Sequence, residues 1–293
     1  MPAASRSSVA EVTIRAVGVE DLEPTYEVVA ACHRALYGEP ELTLEHLRSS
    51  WDFWAGFTAW EGKRAVGTSA VRGDDLVVFV HPDARRRGIG TQLLRAAEGA
   101  ATLDVLQADA VTLEPAAAPF FRANGYEKVW EIWLMGVGLV DVPAEEPRWP
   151  EGIEVRTVRT EDAAAVKTLL DEAYAAEPEH RPVPFDEWRQ VMLGDPSFDP
   201  DVWFLAESGG ELAAAALNWK EGYVKDLVVH PAWRRRGLGE ALLRRTFATF
   251  RERGVPRVGL KVLSNNPTQA WRLYERVGMR RERTYEVFQK RLS

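Results

Sequence analysis

The chain has 293 residues, of which 46% are hydrophobic and 28% charged, and its formal net charge is −7. No apolar run approaches the roughly 18 residues that a membrane span needs, and the acidic balance argues against nucleic acid as the main partner. The single cysteine, Cys32, excludes an internal disulfide framework and a multi-cysteine metal site. Residues 1–6 lack the apolar core of a signal peptide. We therefore expect a cytoplasmic protein without a bound metal, as a monomer or homodimer.

The first half of the chain predicts short strands that alternate with helices. Its strands are expected at residues 12–16, 57–60, 65–71, 76–80, 111–113 and 126–137. Its helices are expected at residues 22–36, 44–51, from a glycine-rich turn to about 100, and 116–123. Residues 103–106 fit either a last helical turn or a connector.

The second half repeats this order of elements. Its strands are expected at residues 153–158, 202–206, 212–219, 223–229, 258–263 and 280–289. Its helices are expected at residues 163–176, from a second glycine-rich turn to about 253, and 268–276. A Pro-rich stretch at 177–201 holds one or two helical turns near 185–192. Because residues 141–152 are acidic and Pro-rich, we predict domains at 1–140 and 153–293 that this linker joins.

One segment occurs twice, and each half is arranged around it. An apolar strand, a His-Pro pair, three arginines and a Gly-X-Gly turn span residues 79–90 and again 228–239. The copies align without a gap, 149 residues apart. A helix start offers free backbone N–H groups to an anion, and glycines let a phosphate approach. Without an anion, each arginine there would be unfavourable by roughly 0.3–1 kcal/mol. We therefore predict phosphate sites, the first cradle at residues 85–90 and the second cradle at residues 234–239.

The two cradles make the chain resemble the GNAT superfamily of acyl-CoA N-acyltransferases. The signature of that family, Arg or Gln, two residues, Gly, one residue, then Gly or Ala, is matched by Arg85, Gly88 and Gly90 and by Arg234, Gly237 and Gly239. A second family motif is matched only in the second half, by Asn266, Ala270, Leu273, Tyr274, Gly278 and Met279. The resemblance covers essentially the whole chain as a tandem, a layout also seen in mycothiol-synthase-like members. It implies an α/β fold of two tandem GNAT domains, each a mostly antiparallel mixed sheet with a splayed central strand pair and flanking helices.

The resemblance also implies a reaction, the direct attack of a small-molecule primary amine on the thioester of acetyl-CoA. Backbone at residues 227–229 would pair with the pantetheine arm, and the N–H near Val229 would polarise the thioester carbonyl. Tyr274 would protonate the leaving sulfur, and Asn266 would hydrogen-bond the pantetheine arm. The cofactor-binding residues expected in the second half are Leu227, Val228, Val229, Arg234, Arg235, Arg236, Gly237, Leu238, Gly239, Glu240, Asn266 and Ala270.

The first half keeps the cradle and departs from the second motif. Its residues for a second cofactor site are Phe79, Val80, Arg85, Arg86, Arg87, Gly88, Ile89, Gly90 and Thr91. Alignment at the cradle offset places Ala117 opposite Asn266, whereas alignment at Gly125 places Phe121 opposite Tyr274, as if four residues were missing between strand and helix. A methyl group makes no hydrogen bond, and a phenyl ring donates no proton. We therefore predict catalysis in the second half and a degenerate first half, whose cradle is a second possible site for coenzyme A and whose binding of it stays open.

The residues do not identify the general base. Tyr223 occupies the position at which protein-acetylating relatives often carry a glutamate. Glu221 and Asp226 are carboxylates nearby, and Asp226 is expected to form an ion pair or a cap because a buried strand would otherwise leave it without a partner. A water chain to solvent is an equal alternative.

The residues do not identify the acceptor either. Thiol-sugar amines, aminoglycosides, polyamines and amino acids all fit, and the pocket depends on how residues 177–201 fold. Two other functions stay open: acetylation of protein N-termini or lysines, which needs an open peptide groove, and a non-catalytic acyl-CoA sensor. The presence of both Asn266 and Tyr274 argues against the sensor.

Overall fold

The computed structural model describes residues 11–177 and 182–292. Residues 1–6, which carry the signal-peptide expectation, lie outside these ranges, as do residues 178–181 of the Pro-rich stretch. Within the described ranges, no helix combines the length and the apolar character that a membrane crossing requires. In those same ranges, no three or more His, Cys, Asp or Glu side chains come together as a metal site.

The chain forms two compact units. Unit 1 comprises Met1–Val129 together with Glu286–Ser293, and unit 2 comprises Trp130–Tyr285. Unit 1 therefore includes a segment from the end of the chain, and unit 2 begins with a segment from the first half of the sequence. The limits at residues 140 and 153 were predicted for domains that fold on their own, and they stay a prediction.

Unit 1 contains a meander of antiparallel strands followed by a parallel strand. Its strands are β1 (Val12–Ala16), β2 (Ala55–Glu61), β3 (Arg64–Arg72), β4 (Asp75–Val80) and β5 (Val105–Val111). Its helices are α1 (Leu22–Tyr37), α2 (Leu44–Ser50), α3 (Ile89–Ala100) and α4 (Ala117–Ala123). The strand predicted at residues 111–113 is wrong, because the buried face of β5 consists of Leu106, Ala108 and Ala110, and two alanines give only a weak apolar alternation.

Unit 2 repeats this layout. Its strands are β6 (Glu127–Gly138), which enters from unit 1, β7 (Glu154–Thr157), β8 (Phe204–Ser208), β9 (Glu211–Trp219), β10 (Tyr223–Val229), β11 (Arg257–Leu263) and β12 (Arg280–Arg291), which leaves to unit 1. Its helices are α5 (Ala163–Tyr174), α6 (Phe185–Leu193), α7 (Leu238–Glu252) and α8 (Trp271–Arg276). The strands follow the order β7-β8-β9-β10-β11-β6, and only β10 and β11 run parallel.

Strand β9 is the centre of unit 2 and is covered on both faces. Successive side chains point to opposite faces, so Ala215 and Leu217 join the core that contains Leu169 of α5, whereas Ala214 joins the core that contains Leu242 of α7. The alanines of β9 leave room for helices on both faces. Each leucine buried in this way contributes about 1.5–3 kcal/mol.

The C-terminal part of β12 completes the core of unit 1. Phe288 is 0% exposed, and its ring stacks on that of Phe121 with centroids 5.7 Å apart. Tyr126 contacts Phe121 edge-on at 5.5 Å. The aromatic core of unit 1 therefore depends on residues near the end of the chain.

Replacement of Phe288 by alanine is expected to lower the free energy of unfolding of unit 1 by about 3–5 kcal/mol, because it leaves a cavity in a packed aromatic core. Urea denaturation followed by circular dichroism measures the loss. Val19→Ala in the same unit is the control, since Val19 is 77% exposed and its truncation should change stability by about 0.5 kcal/mol or less. Equal losses for the two variants would contradict the role of β12 in unit 1.

Candidate functional site

The parallel strands β10 and β11 separate soon after they meet. They pair only at Tyr223 with Gly259 and at Val224 with Leu260. In contrast, β10 stays paired with β9 up to Val229. Residues 227–229 of β10 therefore carry backbone groups on the side away from β9 that pair with no described strand. An extended ligand could add to this edge as a further strand.

A β-bulge interrupts β10 where the two strands separate. The register of β10 against β9 shifts between Val224 and Asp226, whereas β4 pairs with β3 in unit 1 without a shift. A bulge adds one residue and redirects the side chains next to it. Asp226 accepts a hydrogen bond at Oδ1 from the Tyr174 hydroxyl at 2.9 Å, and the Lys225 ammonium lies 3.5 Å from Oδ2. Asp226 thus has the ionic partner that the sequence led us to expect, and a phenol partner that it did not.

Both cradles share an unusual backbone conformation. In the second cradle, Arg235 has φ +65° and Gly237 has φ +90°, and α7 begins directly afterwards. In the first cradle, the matching residues Arg86 and Gly88 have φ +64° and +78°. A non-glycine residue in this region costs roughly 1–2 kcal/mol, and such strain concentrates at functional sites. The free N–H groups of a helix start then face outward, as an anion site requires.

The arginines of the second cradle have different partners. Arg234 donates from Nε to the Val229 carbonyl at 3.2 Å and from Nη2 to the Ala173 carbonyl at 2.8 Å. Its guanidinium therefore ties the cradle to β10 and to α5. Arg236 lies over the Trp233 ring at 4.6 Å, and Arg235 is exposed. Arg235 and the backbone N–H groups are thus the cradle groups most open to a phosphate.

Helix α8 packs close to the second cradle. A Cβ atom at Gly239 would lie 3.0 Å from Leu273 Cδ2, tighter than ordinary contact. Glycine at this position therefore lets α8 approach the start of α7. Tyr274, the residue after Leu273, belongs to the same core cluster as Val224 of β10 and Leu260 of β11.

Tyr274 is a buried phenol among carboxylates. It is 7% exposed, and burial raises the pKa of its hydroxyl, with further contributions from the negative charges of Glu177 and Asp226 and from Tyr223. Its hydroxyl forms no hydrogen bond with any residue in the described ranges. The proton therefore stays on the oxygen at neutral pH and is available to a group that enters the site.

Asn266 organises the start of α8. Its Oδ1 accepts hydrogen bonds from the Thr268 backbone N–H at 3.1 Å and from the Ala270 N–H at 3.3 Å. Its Nδ2 donates to Glu177 Oε1 at 2.7 Å, which links α8 to the end of α5. The contact of Asn266 with a pantetheine arm stays a prediction, and its hydrogen bonds to Glu177, Thr268 and Ala270 were not predicted.

The first unit places different groups at the same positions. Strands β5 and β11 are offset by 152 residues, because α3 has 12 residues and α7 has 15. The prediction that Ala117 stands opposite Asn266 is therefore wrong, and Glu114 stands there. Its Oε1 accepts the Ala116 N–H at 3.4 Å, as Asn266 does with Thr268.

Glu114 also forms an ion pair across the corresponding strands of unit 1. Its Oε2 accepts a hydrogen bond from Arg85 Nη1 at 2.6 Å, and Arg85 Nε donates to the Val80 carbonyl at 3.3 Å. The ion pair links the end of β4 to the segment after β5. Phe121, opposite Tyr274, is part of the aromatic core, so among its described residues unit 1 has no phenol at this position.

Comparisons with protein-family models, with relatives and with solved structures all find similarity to acetyltransferases. A model described as "Acetyltransferase (GNAT) family" matches residues 163–279, and one described as "Acetyltransferase (GNAT) domain" matches residues 52–128. A mycothiol acetyltransferase of Catenulispora acidiphila is 31% identical over 286 residues, 85% of this chain and 88% of that protein. One of a Nocardioides species is 33% identical over 225 residues, 69% of this chain and 76% of that protein. The solved structure of a GCN5-related N-acetyltransferase from Sphaerobacter thermophilus superposes with a TM-score of 0.75 at 28% identity, covering 95% of each chain.

The contacts of Arg234 predict a structural role for its side chain. Arg234→Ala is expected to lower the free energy of unfolding of unit 2 by about 1–3 kcal/mol, because two carbonyls lose their guanidinium donor. Urea denaturation without ligand measures this. The adjacent variant Arg235→Ala is the matched control and should change stability by about 0.5 kcal/mol or less. Equal losses for the neighbouring arginines would contradict the assignment.

Proposed function

This chain belongs to the GNAT family of N-acetyltransferases, as the predicted tandem of two family domains, and we propose that unit 2 transfers the acetyl group of acetyl-CoA directly to a primary amine of a small molecule. The observation that carries this proposal is the position of Tyr274. It is a buried phenol without a hydrogen-bond partner among the described residues, and it lies beside the splayed strands β10 and β11.

Acetyl-CoA, the acyl donor of this family, fits the residues of unit 2. The N–H groups at the start of α7, from Gly237 to Gly239, would bind the pyrophosphate, and Arg235 would meet its charge from the solvent side. Residues 227–229 would pair with the pantetheine amides on the edge that β11 leaves open. The thioester would then lie close to Asp226 of β10 and to Tyr274 of α8.

The chemistry assigned to Tyr274 is proton donation to sulfur. As the carbon–sulfur bond breaks, the hydroxyl gives its proton to the leaving thiolate. Burial supports this role, because it raises the pKa of the phenol and keeps it protonated. A backbone N–H near Val229 would hold the carbonyl oxygen.

Unit 1 lacks the groups that this reaction needs. Phe121 stands opposite Tyr274, and Glu114 stands opposite Asn266 and pairs with Arg85. The first cradle nevertheless keeps the backbone conformation of the second. These differences support catalysis in unit 2 and a degenerate unit 1, whose binding of coenzyme A stays a prediction.

The relatives support a small-molecule acceptor. Two of them, at 31% and 33% identity, are mycothiol acetyltransferases. A mycothiol-related amine is therefore the first acceptor to test, followed by aminoglycosides, polyamines and amino acids. No observation favours acetylation of proteins, and membership of an acetyltransferase family argues against a non-catalytic sensor. A thiol-release assay over this panel tests the proposal, and the absence of release with every amine would favour the sensor.

Tyr274→Phe is expected to lower kcat about 100-fold or more while KM for acetyl-CoA changes little, because the thiolate loses its proton donor. Steady-state thiol release measures both constants. Tyr285→Phe removes the same hydroxyl from another buried tyrosine of unit 2 and should leave both constants unchanged. Unchanged turnover of Tyr274→Phe at saturating substrates would reject the assignment.

The raised pKa of Tyr274 predicts the alkaline side of the pH profile. Because a tyrosine with a raised pKa keeps its proton above the ordinary range, its ionisation should produce no fall in kcat below about pH 10. The pH dependence of kcat checks this. An alkaline fall below that pH that disappears in Tyr274→Phe would contradict it.

A further inference from the structure

Asp226 lies in the bulge of β10, and we propose that it accepts the proton of the acceptor ammonium, with Tyr174 as the residue that positions it. This inference rests on the proposed acetyl transfer in unit 2. It supplies the base that the sequence left open. It also specifies that the acceptor enters as a cation, next to a carboxylate.

The first support is the way in which Asp226 is held. Its side chain is 13% exposed, and the hydroxyl of Tyr174 donates to Oδ1 at 2.9 Å. Lys225 Nζ lies 3.5 Å from Oδ2. One oxygen is thus held by a half-buried phenol, and the other has only a longer contact with a lysine whose side chain is 42% exposed. A carboxylate fixed at one oxygen can receive a proton at the other.

The second support is that the negative charge of Asp226 acts on the proposed acid. Asp226 accepts a hydrogen bond from the Tyr174 hydroxyl at 2.9 Å, and its charge, together with that of Glu177, contributes to the raised pKa of Tyr274. The hydroxyl of Tyr274 has no hydrogen-bond partner among the described residues, although the side chain is more than nine-tenths buried. Asp226 lies in the bulge at which β10 and β11 stop pairing, and its charge reaches a phenol without a described hydrogen-bond partner. An amine between them could lose a proton to one group while the sulfur gains a proton from the other.

The other nearby groups fit the role of base less well. Tyr223 carries a phenol, which is neutral at the working pH and accepts no proton from an ammonium. Glu221 is exposed and precedes β10. Glu177 follows α5, and its Oε1 already accepts a hydrogen bond from Asn266 Nδ2 at 2.7 Å, so this carboxylate is committed to holding the start of α8.

Unit 1 provides an internal comparison. At the cradle offset of 149 residues, Val77 takes the place of Asp226, and β4 has no bulge. Phe121 takes the place of Tyr274. The carboxylate, the bulge and the phenol are thus all missing at the matching described positions of unit 1, as expected if they serve one reaction.

The step balances with these two residues. Asp226 takes one proton from the ammonium, and the freed nitrogen lone pair forms the new bond to the thioester carbonyl carbon. The carbon–sulfur bond breaks, and Tyr274 gives its proton to the sulfur. The nitrogen then loses a second proton, which restores Tyr274 through solvent, and Asp226 releases its own proton to solvent. The products are the acetamide, free coenzyme A and one proton.

The test compares three variants with the wild-type chain, with the best amine of the panel. Asp226→Asn is expected to lower kcat/KM for the amine about 100-fold or more and to remove the acid limb of its pH profile. Tyr174→Phe should lower kcat/KM for the amine by a smaller factor and keep the acid limb, because the carboxylate remains but loses the hydroxyl that positions it. Lys225 also contacts Asp226, and Glu177 is the other carboxylate whose charge acts on Tyr174 and Tyr274. Glu221→Gln, a change of an exposed carboxylate nearby, should behave as wild type.

Two further measurements separate a base from a structural residue. With an amine whose own pKa lies below the assay pH, the defect of Asp226→Asn should shrink about tenfold or more, because that amine arrives without the proton. Acetyl-CoA binding, measured by titration calorimetry, should be unchanged in Asp226→Asn. If that variant fails to bind, Asp226→Glu decides, since a displaced base should keep an acid limb with reduced kcat.

An acid limb that persists in Asp226→Asn, or an equal defect with both kinds of amine, would overturn the inference while leaving acetyl transfer in place. Failure of the proposed function looks different. In that case the wild-type chain releases no thiol with any amine, and Asp226 is not the cause.

Discussion

The separation of β10 and β11 is the constraint on which the site depends. Two parallel strands that pair at only two positions expose a strand edge inside the unit. Strand β9 pairs with the other edge of β10 up to Val229, so the exposed edge keeps the geometry of a strand. Helix α7 starts where β10 ends, and Gly239 lets α8 pack against that start. An extended ligand on the edge would thus have its anionic end at a helix N-terminus and its reactive end near Tyr274.

The two units show how a duplicated fold can divide its functions. Both retain a left-handed arginine and a left-handed glycine in the cradle, a strained arrangement with no evident benefit to stability. Unit 2 adds the bulge at Asp226 and the phenol of Tyr274, whereas the matching positions of unit 1 hold Val77 in a strand paired without a shift and Phe121. In unit 1, Phe121 belongs to an aromatic core with Tyr126 and Phe288. A tyrosine at position 121 would bury a hydroxyl that needs a hydrogen-bond partner in this apolar core. The apolar packing of unit 1 is therefore incompatible with a catalytic phenol at this position.

The cradles and Tyr274 could be predicted because their signals are local or repeat at a constant spacing. Glycines before a helix and a fixed offset of 149 residues identify both cradles, and family motif spacing identifies Tyr274. Other features depend on tertiary structure. The register of β5 follows from the shorter α3, and its alanines hide the alternation. Three features arise from contacts between residues distant in sequence, and no local pattern predicts them. They are the contribution of β12 to unit 1, the bulge at Asp226 and the carbonyl partners of Arg234.

Hydrogen–deuterium exchange of the whole chain with and without acetyl-CoA tests most directly whether the reaction is centred on unit 2. Ligand backbone that pairs with β10, and phosphate bound at the start of α7, should protect the amides that they engage. The account predicts slower exchange on ligand addition for peptides that cover residues 227–239. Protection confined to residues 79–90, or no protection at residues 227–239 under saturating acetyl-CoA, would contradict it.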